Sequence, residues 1–114
     1  MAEFILFVRG GNDAYPSLSP EEIQQAIARY SQWARDLESQ GKLVDAFKLK
    51  DDGGRALSQR NGKLIVDGPL PETKETIGGY YHIRADDYAD AIKLAETCPV
   101  FTDGGTLEIR QIEG

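Results

Sequence analysis

The stretch Phe4-Ile5-Leu6-Phe7-Val8 decides the architecture, because every one of its positions is apolar. Its aromatic and β-branched side chains predict a β-strand, which a pair of glycines ends two residues later. Successive side chains of a strand point to opposite faces of the sheet. Both faces of this strand therefore carry apolar side chains that other structure must cover, which predicts a central strand between two layers.

A long amphipathic helix is predicted after the loop that follows this strand. Ser19 is expected as its N-cap, Pro20 takes the first helical position, and Glu22 closes a Ser-x-x-Glu capping box. Gly41 is expected just after the last turn. The apolar stripe over the four turns between consists of Ile23, Ile27, Tyr30, Ala34 and Leu37, with Ala26 and Trp33 beside it.

Turn signals and apolar patterns predict the remaining elements. We expect strands at 43–50, 55–59, 63–67, 80–85 and 107–112. The second and third of these are the arms of a hairpin around Asn61-Gly62, a dipeptide typical of a type I′ turn. A second helix is expected between Asp86 or Asp87 and Pro99, and its inner face consists of Tyr88, Ala91, Ile92 and Ala95.

The order of these elements predicts an α+β fold. Without the inserted hairpin it is βαββαβ, the split-βαβ pattern of ferredoxin-like domains. Right-handed crossovers place both helices on one face of the sheet, which leaves the apolar side chains of the other face bare. A second copy packed sheet to sheet through a two-fold interface is the simplest cover, so we expect a homodimer. The alternative is that the loop and the hairpin fold back over this face.

Composition and charge restrict the classes of function. The 114 residues, 40% of them hydrophobic, fit a single globular domain spanning residues 1–114. A net charge of -6 without a basic run argues against nucleic-acid binding. The longest apolar run is too short to cross a membrane, no signal-peptide pattern opens the chain, and Cys98 is the only cysteine. These features are typical of a cytoplasmic protein.

The densest polar segment lies between the last arm of the hairpin and the next strand. Its charged residues are Asp67, Glu72, Lys74 and Glu75. One interpretation is a binding rim with a general acid or base. The other is a solvated loop in which Asp67 caps the Gly-Pro turn that follows it. Residue types alone favour the solvated loop.

The same segment resembles a known signature. Val66-Asp67-Gly68-Pro69-Leu70, then Glu72-Thr73-Lys74-Glu75, then Ile77-Gly78-Gly79-Tyr80 is similar to the pattern of the DGPF proteins within the YCII-related group. That pattern reads Asp-Gly-Pro-Phe, then Glu-x-Lys-Glu, then two glycines and an aromatic residue. The helix start at 19–22, the helix end at 95–99 and the closing strand at 107–110 also resemble the family, whereas Leu70 and Gln111 depart from it.

The resemblance implies a ferredoxin-like subunit, a dimer of the α/β-barrel kind and a cleft near the Asp67 loop. It brings no known reaction, because a fold by itself does not supply one.

The remaining candidates are single residues. His82 is the only histidine, too few for a metal site, so we expect either a structural role or a contact to a ligand or proton. Tyr81 precedes it on the same strand, and Trp33 is expected in the core or in a cleft wall. We expect Cys98 to be a packing residue. The glycine pairs match no nucleotide fingerprint, so no cofactor and no metal are expected.

Two hypotheses of function follow. The first is an acid–base enzyme for a small molecule, such as a lyase, isomerase or hydrolase, with Asp67 and His82 as catalytic groups. Its expected ligand contacts are Trp33, Glu72, Lys74, Glu75 and Tyr81. The second is a non-catalytic ligand-binding or accessory and regulatory dimer. The chain lacks a nucleophile–base pair in sequence, so residue types leave the choice open.

Overall fold

The fold is known from a computed structural model that describes residues 1–10, 17–71, 73 and 76–114. Its elements in chain order are β1 (Ala2–Arg9), α1 (Pro20–Ser39), β2 (Leu43–Lys48), β3 (Ala56–Arg60), β4 (Lys63–Asp67), β5 (Ile77–Ala85), α2 (Tyr88–Ala95), a 3₁₀ turn (Pro99–Phe101) and β6 (Thr106–Gln111). The main sheet has the order β2-β5-β1-β6 with antiparallel neighbours, and β3 and β4 form a separate hairpin. The chain is thus an α+β ferredoxin-like domain with an inserted hairpin, as predicted.

Local hydrogen bonds define both ends of α1. The Ser19 hydroxyl accepts from the Glu22 N–H at 3.2 Å, and the Glu22 carboxylate accepts from the Ser19 N–H at 3.0 Å. This is the predicted capping box. At the other end Gly41 adopts φ 70°, and the Lys42 N–H donates to the Leu37 carbonyl at 3.0 Å. That pair of features forms a Schellman motif with glycine at C′, also as predicted.

The core lies between the two helices and one face of the sheet. Phe4 and Leu6 of β1 and Ile83 of β5 are fully buried there. Trp33 of α1 packs in the same cluster. The other buried members of the cluster are Leu37, Ala85, Ala91, Ala95, Cys98 and Val100. The first strand therefore buries the row that contains Phe4 and Leu6 against the helices, a choice between its two apolar rows that the sequence left open.

The predicted inner faces of the helices are partly wrong. On α1, Ile27 is 49% exposed, whereas Ala26 and Trp33 are buried. On α2, small Ala91 is buried while Ile92 is 54% exposed. Sequence periodicity fixes which residues share a face, but the direction of that face depends on the packing of the whole helix.

Several predicted boundaries also move. β5 begins at Ile77 instead of residue 80, because Gly78 and Gly79 pair with neighbouring strands instead of forming a loop. β2 ends two residues early, the first hairpin arm starts one residue late, and β6 occupies 106–111. α2 already ends at Ala95 with Glu96 as its C-cap, and Pro99 begins a separate 3₁₀ turn.

The second face of the main sheet, which we call the open face, carries no helix among the residues that the structure describes. Strand register places twelve side chains on it. They are Glu3, Ile5, Phe7, Arg9, Asp45, Phe47, Tyr80, His82, Arg84, Thr106, Glu108 and Arg110. Apolar and charged side chains are mixed there, and Phe47 is 54% exposed.

The hairpin β3–β4 stands apart from this sheet. Asn61 and Gly62 have φ values of 53° and 77°, as the predicted type I′ turn requires. At the base of the hairpin, a Cβ on Gly68 would lie 2.5 Å from the Gly54 carbonyl oxygen, so this crossing needs glycine. Leu57, Leu64 and Val66 of the hairpin are exposed, so the hairpin does not use them to cover the open face.

Candidate functional site

An apolar cavity of about 480 Å³ lies between the N-terminal half of α1 and the sheet. It sits at the end of the sheet where β1 and β2 finish and β5 begins. Its walls are Val8, Gly10, Ile23, Ile27, Tyr30, Ser31, Ala34, Ala46, Phe47, Lys48, Gly78, Gly79, Tyr80 and Tyr81.

The cavity exists because the sheet has little side-chain volume at this end. Gly10, Gly78 and Gly79 lie on or beside the strand ends below the helix. A Cβ on Gly79 would approach the Phe47 carbonyl oxygen to 2.7 Å, so the close approach of β2 and β5 requires this glycine. The apolar side chains of α1 therefore face an empty space, because the glycines on the sheet have no side chains to fill it. A close-packed core would have larger residues at these positions.

Sequence reasoning missed the α1 side of this cavity. Ile23, Ile27 and Ala34 were expected in the core, and the structure places them in the cavity wall. A signal was available in the three glycines that end β1 and begin β5, since these remove the side chains that would fill the space. Helical periodicity alone does not distinguish a core position from a cavity wall.

Tyr30 occupies a fixed position in this wall. Its hydroxyl donates to Asp103 Oδ2 at 3.1 Å, and Arg29 Nη2 contacts Asp103 Oδ1 at 3.4 Å. Asp103 follows the 3₁₀ turn, and its side chain is only 16% exposed. The carboxylate therefore ties α1 to that loop and orients the phenol ring beside the cavity.

Two predicted ligand contacts, Trp33 and Tyr81, form one aromatic pair. Their rings meet edge to face with centroids 4.9 Å apart, and the Trp33 indole N–H donates to Thr97 Oγ1 at 3.0 Å. Tyr81 lines the cavity, whereas Trp33 is only 7% exposed and packs against Tyr81. Trp33 also borders a shallow groove between the two helices.

The predicted catalytic pair is distributed over two sheets. Asp67 ends β4 on the hairpin and is exposed, whereas His82 lies in the middle of β5 on the open face. His82 Nε2 is 2.6 Å from Glu3 Oε1, and Asp45 is its register neighbour on β2. Neither Asp67 nor His82 belongs to the cavity wall. Their catalytic roles remain predictions.

The other predicted contacts are Glu72, Lys74 and Glu75, and they lie outside the residues that the structure describes. Their proximity to Asp67 in sequence remains the basis for expecting a binding rim there.

Cys98 is a core residue. It is 3% exposed, and burial raises the pKa of its thiol to about 11, with a smaller contribution from the negative charge of Asp103. A thiol with such a pKa is protonated at neutral pH and is a poor nucleophile. The predicted packing role fits this position.

Metal-binding clusters were sought across the described ranges. No group of three or more His, Cys, Asp or Glu side chains there is arranged to hold a metal ion. In the same part of the chain, neither helix has the length and hydropathy of a membrane span.

Comparison with known proteins identifies the family. No curated protein matches the sequence. Among solved structures, the chain is similar to the 5-chloro-2-hydroxyhydroquinone dehydrochlorinase of Burkholderia phenoliruptrix AC1100, solved in complex with 2,5-dihydroxybenzoquinone. The identity is 15% and the TM-score 0.47, over 97% of this chain and 93% of the other. A model of the YCII-related domain matches residues 2–113, and the chain therefore belongs to the YCII-related family.

Proposed function

We propose that the protein binds a small, mainly apolar molecule in the cavity below the N-terminal half of α1. The observation that carries the proposal is the cavity itself. Its volume of about 480 Å³ falls within the range of small-molecule sites, and its walls are mostly aliphatic and aromatic. Polar residues such as Ser31 and Lys48 lie among them, as in sites that orient a ligand with a few polar groups.

The charges around the cavity favour an uncharged ligand. Among the described residues, Lys48 is the one charged residue of the cavity wall, and its ammonium group donates to Asp51 Oδ2 at 3.0 Å and to the Leu49 carbonyl at 3.0 Å. A ligand carboxylate in the cavity would compete with Asp51 for this ammonium group. An uncharged ligand that carries an aromatic ring can contact Tyr30 and Tyr81 of the wall without losing the hydration of a charge.

The position of Asp67 favours a binding domain over an acid–base enzyme. Asp67 is exposed on the hairpin, and a general acid or base must come within hydrogen-bond reach of the reacting group. Catalysis by Asp67 and His82 is the alternative, and it requires a cleft that includes Asp67.

We further propose that the protein is a homodimer that buries the open face. Ile5, Phe7 and Phe47 give this face an apolar part that no described helix covers. Its charged side chains, three Asp or Glu and three Arg, balance each other although the chain as a whole carries -6. Two copies of an acidic protein can therefore bring this face together without net repulsion.

The uncharged fluorescent probe N-phenyl-1-naphthylamine tests the cavity. We expect saturable binding to the wild-type protein. Ala34→Phe places a ring in the cavity wall and should weaken binding at least about tenfold, which is about 1.4 kcal/mol. Ala28→Phe adds the same ring on an exposed position of α1 and should leave affinity unchanged.

Two outcomes would contradict the proposal. Equal affinity of Ala34→Phe and wild type would place the probe outside the cavity. A large loss of affinity in Asp67→Asn, which keeps the shape of the side chain, would favour a cleft at the Asp67 loop instead.

A further inference from the structure

Ser31 places a hydroxyl group in the mainly apolar row of α1 that faces the cavity. It lies one helical turn after Ile27 and one turn before Ala34, and all three residues line the cavity. Residues three or four positions apart share one face of a helix. The Ser31 side chain is half-buried, whereas the neighbouring position on the outer side of the helix, Gln32, is exposed. The hydroxyl therefore belongs to the cavity side of α1.

The hydroxyl of Ser31 makes no hydrogen bond within the described part of the chain. A serine inside a helix commonly donates to a main-chain carbonyl three or four residues earlier. Ser39 of the same helix does so, since its hydroxyl donates to the Asp36 carbonyl at 2.8 Å. The Ser31 oxygen is also not sealed inside the protein, because no fully buried side-chain nitrogen or oxygen of the described residues lacks a partner. It is thus accessible to a molecule in the cavity.

Other polar side chains of the wall are engaged in contacts of the protein itself. The Tyr30 hydroxyl donates to a carboxylate beyond the 3₁₀ turn, and the Lys48 ammonium group donates to a carboxylate three residues later. Strand register directs the Tyr80 side chain to the open face, away from α1. The Tyr81 ring packs edge to face on the indole of α1. Ser31 therefore offers the cavity a hydrogen-bonding group that these contacts do not occupy.

The free hydroxyl favours one class of ligand. A hydrocarbon that fills the cavity separates the Ser31 hydroxyl from water without giving it a new partner, which opposes binding. A hydroxyl group on the ligand can both donate and accept, as the serine hydroxyl does, so the two can pair whichever way the serine O–H is turned. Such a group also brings no charge that the apolar walls would have to desolvate.

We infer that Ser31 is the residue that selects the ligand, and that the ligand is an uncharged, mainly apolar molecule with a hydroxyl group. The ligand hydroxyl bonds to Ser31 Oγ, while its apolar frame contacts the aliphatic side chains of the same wall. The inference rests on the proposed binding function of the cavity and adds the chemical class of its ligand.

Equilibrium dialysis of 2-naphthol and naphthalene with wild type and Ser31→Ala tests the inference. The two probes share one ring system and differ by a hydroxyl group that is uncharged at neutral pH. We expect Ser31→Ala to raise the dissociation constant of 2-naphthol about fivefold, a typical effect of one neutral hydrogen bond. The constant of naphthalene should stay the same or fall. Alanine favours a helix more than serine does, so the substitution preserves α1.

Ser39→Ala is the matched control, because it removes a hydroxyl from an exposed position of the same helix, outside the cavity wall. It should leave the dissociation constants of both probes unchanged. A loss of affinity for 2-naphthol in Ser31→Ala that is no larger than the loss for naphthalene overturns the role of Ser31 and leaves the cavity as the binding site. Absence of binding of both probes to wild type, or equal binding to Ala34→Phe, overturns the proposed function and this inference together.

Discussion

Trp33 and Cys98 show how single side chains join the two helices to the sheet. Trp33 reaches from α1 to Tyr81 on β5 through its ring and to Thr97 beyond α2 through its N–H. Cys98 fills the core just after α2. The sequence predicted a packing role for Cys98, and for Trp33 it predicted a place in the core or in a cleft wall, because a lone cysteine and an aromatic residue beside a helical stripe usually pack.

The raised pKa of Cys98 gives a testable dependence of stability on pH. Burial raises this pKa from 9.0 to about 11 in the folded protein. The unfolded chain therefore releases the thiol proton at lower pH than the folded chain. The resulting stabilisation is complete below about pH 9 and is lost as the pH rises toward 11.

We expect the free energy of unfolding of wild type to fall between pH 9 and 11 more steeply than that of Cys98→Ala. Urea unfolding of both proteins across this range measures the difference in slope. Parallel curves would show that the thiol has the same pKa in the folded and unfolded chains. Comparing slopes cancels the constant loss of packing in the variant.

Among the helices, strands and turns, the features predicted most clearly from the sequence are those that depend only on neighbouring residues. The capping box of α1, the glycine after its end and the Asn-Gly turn of the hairpin each depend on a few neighbouring residues. All three appear as predicted. The start of β5 was missed because Gly78 and Gly79 are typical of loops, and only the neighbouring strands show why glycine is needed there.

The capping box of α1 should contribute measurably to the stability of the protein. Ser19→Ala removes the hydroxyl that accepts from the Glu22 N–H and should destabilise the protein by about 1 kcal/mol. Ser58→Ala removes an exposed hydroxyl from β3 and should change stability far less. Urea midpoints compare both with wild type, and equal effects of the two substitutions would exclude a specific capping contribution.

The stabilisation by the capping box should depend on pH in a direction that the pKa of Glu22 defines. The Ser19 N–H, and to a smaller degree its hydroxyl, lower the pKa of Glu22 below its ordinary value. Stability from this contact is therefore present above the ordinary pKa of 4.5 and is lost as the pH falls through the folded value. Ser19→Ala keeps the backbone N–H and loses only the smaller contribution of the hydroxyl, so the difference between this variant and wild type should be only slightly smaller in acid than at neutral pH.

The described residues form one helix layer and one main sheet layer, and their shortest dimension is 18 Å. The first strand, which is apolar at every position, and the right-handed crossovers together predicted helices on one face of the sheet and an uncovered second face. The cavity could not be predicted in the same way, since it depends on how far α1 lies from the sheet at one end. The predicted binding rim at Glu72, Lys74 and Glu75 lies outside the described ranges.

The last prediction concerns the mass of the protein in solution. One chain has a mass of 12.6 kDa, and light scattering at micromolar concentration should report twice that value. Ile5→Lys adds a charge to the open face between His82 and Arg110 and should shift the mass toward that of one chain. A new ammonium group beside an arginine has to be desolvated at the interface without a partner, which opposes association.

Ile92→Lys is the matched control for this substitution. It adds the same charge at an exposed position of α2, away from the open face, and should keep the dimer mass. A wild type with the mass of one chain across micromolar concentrations would contradict the dimer directly. Dimers of equal strength in both variants would mean that the subunits associate through another surface, and the apolar side chains of the open face would then need a different explanation.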